Sequence, residues 1–320
     1  MNVDRLINRF FADMASATKI DVFDAENIYS VYTDIVNSLL THSDAELSVL
    51  QSLSYCFYEV MDNVLTHSGK QCGTALTAYD SAKKRIKVLV ADDGIGVRAS
   101  LSANKDFATI SEAEALRLCI QDKVSDGKGM GFGLYSTSRL VKSAGVRLVI
   151  HSGGSQLTYD GNEVEVCDSF AWNGTIVYFE LASDRQIDPD DVVESKTDCA
   201  GQFNDTFLGN EALDNLWEMP RFEFRTFGEN LGTRQLGETA RMQLLEKMNG
   251  ADRVILDFTG VAIVSNSFAD ECIGKLLLTM PLEELKQRVA FTGITGLAKK
   301  NVAVAIRRRL VMTPLPVQTC

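Results

Sequence analysis

Glu59-Val60-Met61-Asp62-Asn63-Val64-Leu65-Thr66-His67 is the stretch from which the fold can be read. Glu59, Asn63 and His67 stand four apart, so in a helix they share one face. Val60, Met61 and Val64 continue an apolar pattern that begins at Leu47, Leu50, Leu53 and Phe57 and has helical spacing. A helix is therefore expected from Asp44 to Ser68-Gly69, the glycine suiting a C-cap. An Asn side-chain carbonyl can ligate a magnesium ion held by a triphosphate. A carboxylate one turn earlier could accept a proton from a group attacking the γ-phosphate. A surface helix whose polar face repeats every four residues would have the same spacing.

Two further segments stand at a distance along the chain. Asp92-Asp93-Gly94-Ile95-Gly96 follows an expected strand over Arg85–Ala91, and a carboxylate at a strand end can accept the exocyclic amine of adenine. Asp93 is taken as that carboxylate, with Gly94, Ile95 and Gly96 letting the backbone approach the ring; Asp92 is expected to face solvent or order the turn. A plain Asp-Gly turn is the alternative. Gly127-Lys128-Gly129-Met130-Gly131-Phe132-Gly133-Leu134 runs into an expected helix over Leu134–Ala144, and backbone N–H groups opened by glycine at a helix start suit phosphate. The run is neither a Walker loop nor a Rossmann turn, and a flexible hinge is its other reading.

Around these segments the pattern gives helices in 1–43, strands near Thr74–Tyr79, Val146–His151, Gln156–Tyr159, Glu163–Val166 and Thr175–Leu181, and turns at Gly153-Gly154 and Asp160-Gly161-Asn162. A short helix is expected near Ser111–Ile120, within a polar stretch from Arg98 to Gly127. The fold class is α+β: helices on one face of a mostly antiparallel sheet, a two-layer sandwich. Residues 183–220 lose apolar periodicity and are acidic, as a linker would be. Beyond them strands at Phe222–Phe227, Arg253–Phe258 and Arg288–Phe291 alternate with helices at Thr233–Met248, Ser267–Thr279 and Leu297–Leu310, a smaller α/β domain over 221–320.

The three segments, in this order, resemble the N, G1 and G2 boxes of the GHKL ATPase superfamily (gyrase, heat-shock chaperone, histidine kinase, mismatch repair), and Gly174-Thr175 resembles its later Gly-Thr element. The resemblance spans about residues 40–182 and implies the Bergerat ATP-binding fold. It further implies that Asn63 holds Mg²⁺, that Asp93 binds adenine, and that Gly127, Gly129 and Gly131, with Lys128, Met130, Phe132, Gly133 and Thr175, surround the nucleotide. The stretch before Gly127 would be the ATP lid. Histidine kinases usually carry Asn where this chain has Glu59, so Glu59 as base looks like the hydrolytic branches and the anti-sigma-factor serine kinases. The second domain, through Val254-Ile255-Leu256-Asp257-Phe258-Thr259-Gly260-Val261 and Val264-Ser265-Asn266-Ser267-Phe268-Ala269-Asp270-Glu271, resembles the STAS fold of anti-sigma-factor antagonists. Those antagonists are phosphorylated on a serine at this turn. Here the aligned residue is Asn266, flanked by Ser265 and Ser267, and Ser267 reads more readily as a helix N-cap with Asp270 as its capping-box partner.

Composition narrows the partners. A net charge of −11 argues against a general nucleic-acid or anionic-membrane surface, and Arg307-Arg308-Arg309 reads as a solvated helix face. No apolar run approaches the roughly 20 residues that span a bilayer, and no signal-peptide core follows Met1. Seven scattered cysteines suggest neither a zinc site nor disulfides, so a cytoplasmic location is expected. The expected function is ATP-dependent regulation, by hydrolysis or by transfer of the γ-phosphate to Ser/Thr, acting on a protein partner or on the chain's own STAS-like domain. A non-catalytic, nucleotide-gated binding module is the alternative. The N-terminal helices could serve a homodimer.

Overall fold

The strand Arg85–Ala91 is buried on both faces, whereas the central strand of a two-layer sandwich should show one face to water. The reason lies at the N-terminus. The computed structural model describes residues 3–11, 19–122, 124, 126, 133–144, 146–188, 192, 208, 219–294 and 296–312, and its contacts divide the chain into two units, Met1–Val192 and Val193–Cys320.

In the first unit, helices α1 (Val3–Phe10), α2 (Ile28–His42), α3 (Leu47–His67), α4 (Gly96–Leu101), α5 (Glu112–Leu118) and α6 (Gly133–Ala144) accompany strands β1 (Lys19–Asp24), β2 (Cys72–Asp80), β3 (Arg85–Ala91), β4 (Arg147–Tyr159) and β5 (Val164–Ala182). The strands form one sheet in the order β1-β2-β3-β5-β4, antiparallel throughout. Its outer face carries Leu76, Leu89, Ala91, Val149, Ile176 and Tyr178, and α1 covers it with Leu6 and Phe10, joined by Phe11 just beyond the helix. Phe10 lies 4.9 Å from the Tyr178 ring and Phe11 meets it edge-on at 6.0 Å. The guanidinium groups of Arg5 and Arg9 sit 4.2 and 4.4 Å over Phe170. Burying two Phe and one Leu contributes about 1.5–3 kcal/mol each, which is how so short a helix holds its place. On the inner face, α3 and α6 pack against β2, β3, β4 and β5.

Several expectations are corrected here. The lead-in over 1–43 is not wholly helical: β1 forms the sheet edge, paired with β2 from Lys19↔Thr77 to Asp24↔Cys72. The four short strands expected between 146 and 181 are two long ones. Gly153-Gly154 does not turn the chain but lies in an irregular stretch of β4, where the register shifts between Ser152 and Ser155 and Gly153 adopts φ +62°. The linker over 183–220 falls largely outside the described residues.

In the second unit, strands β6 (Arg221–Glu223), β8 (Val254–Asp257) and β10 (Val289–Thr292) form a parallel sheet in the order β10-β8-β6, and β7 (Asn230–Leu231) pairs with β9 (Ile263–Val264). Helices α7 (Arg234–Asn249), α8 (Asn266–Cys272), α9 (Leu282–Arg288) and α10 (Gly296–Met312) surround them. The core contains Phe224, Phe258, Phe268, Leu244 and Val302, with Phe224 stacked on Phe258 at 4.2 Å. Gly237 lets α7 approach α8 closely, since a Cβ there would lie 2.9 Å from the Phe268 carbonyl oxygen.

The expected strand over Phe222–Phe227 ends at Glu223 and continues as a 3-10 turn, Phe224–Phe227. The expected helix over Ser267–Thr279 begins earlier, and its N-cap is Ser265, whose hydroxyl accepts from Phe268 N–H at 3.0 Å. Asp270 is not a capping partner; it takes the Arg309 guanidinium in a two-pronged ion pair. Arg309 is thereby held to the unit rather than solvated.

Candidate functional site

The pleat of β3 sets the site. Leu89 and Ala91 lie on the outer face with α1, so Val88, Val90 and then Asp92 point to the face that α3 covers. Asp92 is 3% exposed. Of the two expectations for Asp92, solvent exposure is overturned and ordering of the turn is met, its carboxylate accepting from Gly94 N–H; Asp93 is the outward residue, its side chain 46% exposed and 3.5 Å from Lys70. Thr175 and Val177 share the inner face by the same alternation, because Ile176 and Tyr178 belong to the outer cluster.

Backbone approaches around Asp92 are close. The Asp92 N–H donates to Thr175 O at 2.9 Å, the Asp92 carboxylate accepts from Gly94 N–H at 2.8 Å, and the Trp172 indole donates to the Asp92 carbonyl at 2.9 Å. Gly174, at φ +98°, allows this: a Cβ there would fall 2.4 Å from the Asp92 carbonyl oxygen and 2.6 Å from its Oδ1. Burial raises the Asp92 carboxyl to about 6, with hydrogen bonds from Gly94 and Thr175 and the nearby Lys70 opposing that rise. Gly94 packs on the end of α3, where Ser68 O accepts from Ile95 N–H at 2.9 Å. Ser152 of β4 accepts from Val97 N–H at 2.9 Å and donates to Gly174 O at 2.9 Å, holding the start of α4 over the sheet.

Glu59 and Asn63 stand one turn apart on α3, both half-buried. The first residue of α6 meets them: a Cβ at Gly133 would lie 2.8 Å from the Asn63 amide nitrogen and 3.3 Å from Glu59 Cβ. Ser136 and Thr137, also small, keep α6 near α3: the Ser136 hydroxyl donates to Tyr55 OH at 3.4 Å. Cys56, one turn before Glu59, is buried and hydrogen-bonded to Thr137, and burial pushes its thiol well above the usual range. It is a packing residue.

The described contacts join the segments in pairs: Gly133 stands against Asn63 and Glu59 of α3, and Gly94 stands against Ser68 at the end of α3. Gly127, Lys128, Gly129, Met130, Gly131 and Phe132 fall outside the described residues. Ile95 is exposed and Gly96, at φ +77°, packs on Ser152. In the second unit Ser265 is 1% exposed, and its hydroxyl donates to Gly232 O at 2.7 Å while capping α8. Ser267 is 8% exposed. Among the described residues no group of three or more His, Cys, Asp or Glu could hold a metal ion, and no helix is long and apolar enough to cross a membrane.

What sequence reasoning missed about Asp92 is its burial, and the alternation of Val88 and Val90 was the signal. Ser152 was missed as well; nothing in its local sequence marks it.

Comparison with known protein families agrees with this geometry. Residues 49–184 match the family described as histidine kinase-, DNA gyrase B- and HSP90-like ATPase. Residues 240–297 match the STAS-like domain of unknown function (DUF4325). No curated protein matches the chain. The chain therefore carries a GHKL ATPase domain, which implies nucleotide binding, followed by a STAS-like domain.

Proposed function

We propose that the protein binds Mg²⁺·ATP on the inner face of the first unit and acts on the γ-phosphate, with nucleotide state controlling what the STAS-like domain or a protein partner binds. The observation that carries this reading is the buried Asp92 carboxylate beside Thr175, on the face that also presents Asn63 and Glu59. In this reading Asp92, not Asp93, accepts the adenine amine. An inward carboxylate, ionised above about pH 6 and surrounded by glycine backbone, offers a directed acceptor in a water-poor place.

Asn63 would hold the magnesium ion. Its amide lies half-buried beside Gly133, and a single neutral protein oxygen suits an ion that keeps water and phosphate oxygens as its other ligands. When bound, the ion offsets the charge of the phosphates. Glu59 would take the proton of the attacking hydroxyl as its oxygen bonds to the γ-phosphorus and the bond to the β,γ-bridging oxygen breaks, that electron pair leaving with ADP. The hydroxyl belongs to water or to a serine or threonine. At the STAS-like turn the candidate acceptors are Ser265 and Ser267, both buried, at 1% and 8% exposed.

Incubation of the full chain with γ-labelled ATP tests this. Free phosphate that disappears in Glu59→Gln supports hydrolysis, and label on Ser267 or on an added partner supports transfer. ATP binding with neither outcome would leave a nucleotide-gated module and remove the catalytic reading. Absence of ATP binding sinks the whole proposal.

A further inference from the structure

The ladder between β4 and β5 breaks beside the Asp92 turn. Its register passes from Ser152↔Thr175 directly to Gly153↔Trp172, which leaves Asn173 and Gly174 without a facing residue in β4, as in a β-bulge that re-aims the chain locally. Gly174 turns here at φ +98°, and the Ser152 hydroxyl donates to its carbonyl oxygen at 2.9 Å. The same hydroxyl accepts from Val97 N–H at 2.9 Å. Ser152 is 5% exposed, and Gly96 leaves room for it, since a Cβ there would lie 2.6 Å from Oγ. One buried hydroxyl thus joins β4, the bulge of β5 and the start of α4, three stretches remote in sequence.

Both partners of that hydroxyl lead to Asp92. The Gly174 carbonyl and the Thr175 N–H belong to one planar trans peptide and point to opposite sides of it. The carbonyl faces Ser152, and the Thr175 backbone, with that of Gly94, hydrogen-bonds the Asp92 carboxylate. A hydrogen bond at the carbonyl also strengthens the N–H of the same peptide as a donor. Gly174 is seated against the turn itself, since a Cβ there would lie 2.6 Å from Asp92 Oδ1 and 2.6 Å from Gly94 N. Val97 directly follows Asp92-Asp93-Gly94-Ile95-Gly96, so its bond to Ser152 fixes where that turn ends. We propose that Ser152 is a positioning residue for Asp92 and sets the preference of the pocket for a base with an exocyclic amine. A carboxylate held in one direction accepts from an amine and repels a carbonyl oxygen; one that can turn away discriminates less. This rests on the ATP reading of the pocket, with Asp92 as acceptor for the base.

The experiment titrates the full chain, by calorimetry, with Mg²⁺·ATP and with the Mg²⁺ complex of inosine triphosphate, which has the same ribose and phosphates but a carbonyl oxygen where ATP has the amine. The wild type is expected to prefer ATP by at least about tenfold, because a buried acceptor that meets a carbonyl is left unpaired. Ser152→Ala is expected to lower that ratio at least about fivefold, the change given by one lost hydrogen bond of ordinary strength. Ser152→Cys keeps the shape but is only a weak donor and acceptor. Its ratio falls in the same direction by less, and it takes the place of Ser152→Ala if that chain does not fold. A general loosening of the domain weakens both nucleotides alike and leaves the ratio where it was. An unchanged ratio in a folded Ser152 variant, whatever its melting temperature, therefore overturns the proposal. A wild-type chain that binds neither nucleotide, or binds both equally, overturns the reading of the pocket instead.

Discussion

Gly133 stands against Asn63 so closely that a methyl group at Gly133 would come within 2.8 Å of the amide nitrogen. Asn63 cannot retreat easily, because α3 is fixed to β2 on one side and to α6 on the other. Gly133→Ala should therefore turn the Asn63 amide without unfolding the domain, since alanine is the better helix former by about 1 kcal/mol. The expected outcome is at least about a tenfold loss of Mg²⁺·ATP affinity by calorimetry, with a melting temperature close to that of the wild type. An unchanged affinity would show that the amide has another orientation in the bound state.

Asp92 and Asp93 are neighbours with opposite surroundings, and their Asn variants should separate cleanly. Asp92→Asn swaps one acceptor oxygen for a donor that meets the adenine amine head-on, so ATP binding is expected to fall below detection in an equilibrium titration. Asp93→Asn weakens an exposed pair with Lys70, a contact of the kind that contributes about 0–1 kcal/mol. Its affinity should stay near that of the wild type. Equal effects of the two variants would return the base contact to Asp93.

How far the sequence could be read follows from which residues carry periodic information. Helix α3 and strand β3 were legible because their apolar residues repeat at 3.6 and fill consecutive buried positions. The edge strand β1 was not: its apolar Ile20 and Val22 are exposed and only Phe23 is fully buried, so its pattern does not announce a core face. Asp92 was misread because the Asp-Gly turn was weighed by itself, without continuing the alternation of Val88 and Val90 past the strand end. Ser265 was passed over for Ser267 because three adjacent polar residues offer the same capping chemistry, and only the backbone decides whose oxygen reaches Phe268 N–H. The tie of Ser152 to Val97 and Gly174 joins distant residues, which no local pattern encodes.

Asp92 also gives the first domain a pH signature. Its folded-state carboxyl is raised from 3.8 to about 6, chiefly by burial. A carboxyl raised on folding contributes stability that is fully present below about 4 and lost as pH rises through about 6, because the folded state holds the proton more tightly. Urea unfolding of the wild type should show this loss between pH 4 and 7 after the contribution of Asp92→Asn is subtracted, the variant gaining relative stability as pH rises. ATP affinity should move the other way, weakening as pH drops through about 6 and the acceptor is protonated. A difference curve that is flat across this window would mean that Asp92 is hydrated in solution.

The Ser265 hydroxyl both caps α8 and donates to Gly232 O. Ser265→Ala should destabilise the second unit by about 1–3 kcal/mol, the sum expected for a lost N-cap and an acceptor left without its buried donor. Ser267→Ala is the variant that tests whether label received from γ-labelled ATP at this turn sits on that hydroxyl. Mass spectrometry of the labelled chain, alongside denaturant unfolding, checks both. Phosphate found on Ser265 in a folded second unit would contradict the assignment, because a phosphoryl group there would remove the donor to Gly232.

The outer face of the first domain should be energetically coupled to the fold and uncoupled from the nucleotide. Phe10 is buried against Tyr178 on the side of the sheet opposite Asp92. Phe10→Ala deletes most of a buried aromatic side chain, a change that typically costs about 3–5 kcal/mol, with the lower figure expected where a short helix can shift to fill the space. Thermal unfolding should drop by several degrees, and the exposed Leu89, Val149 and Ile176 should bind a hydrophobic dye. Because no side chain of α1 reaches the inner face, the calorimetric affinity for Mg²⁺·ATP below the melting range should be unaltered. A variant that unfolds no more easily but binds ATP differently would mean that α1 acts on the pocket rather than on the core.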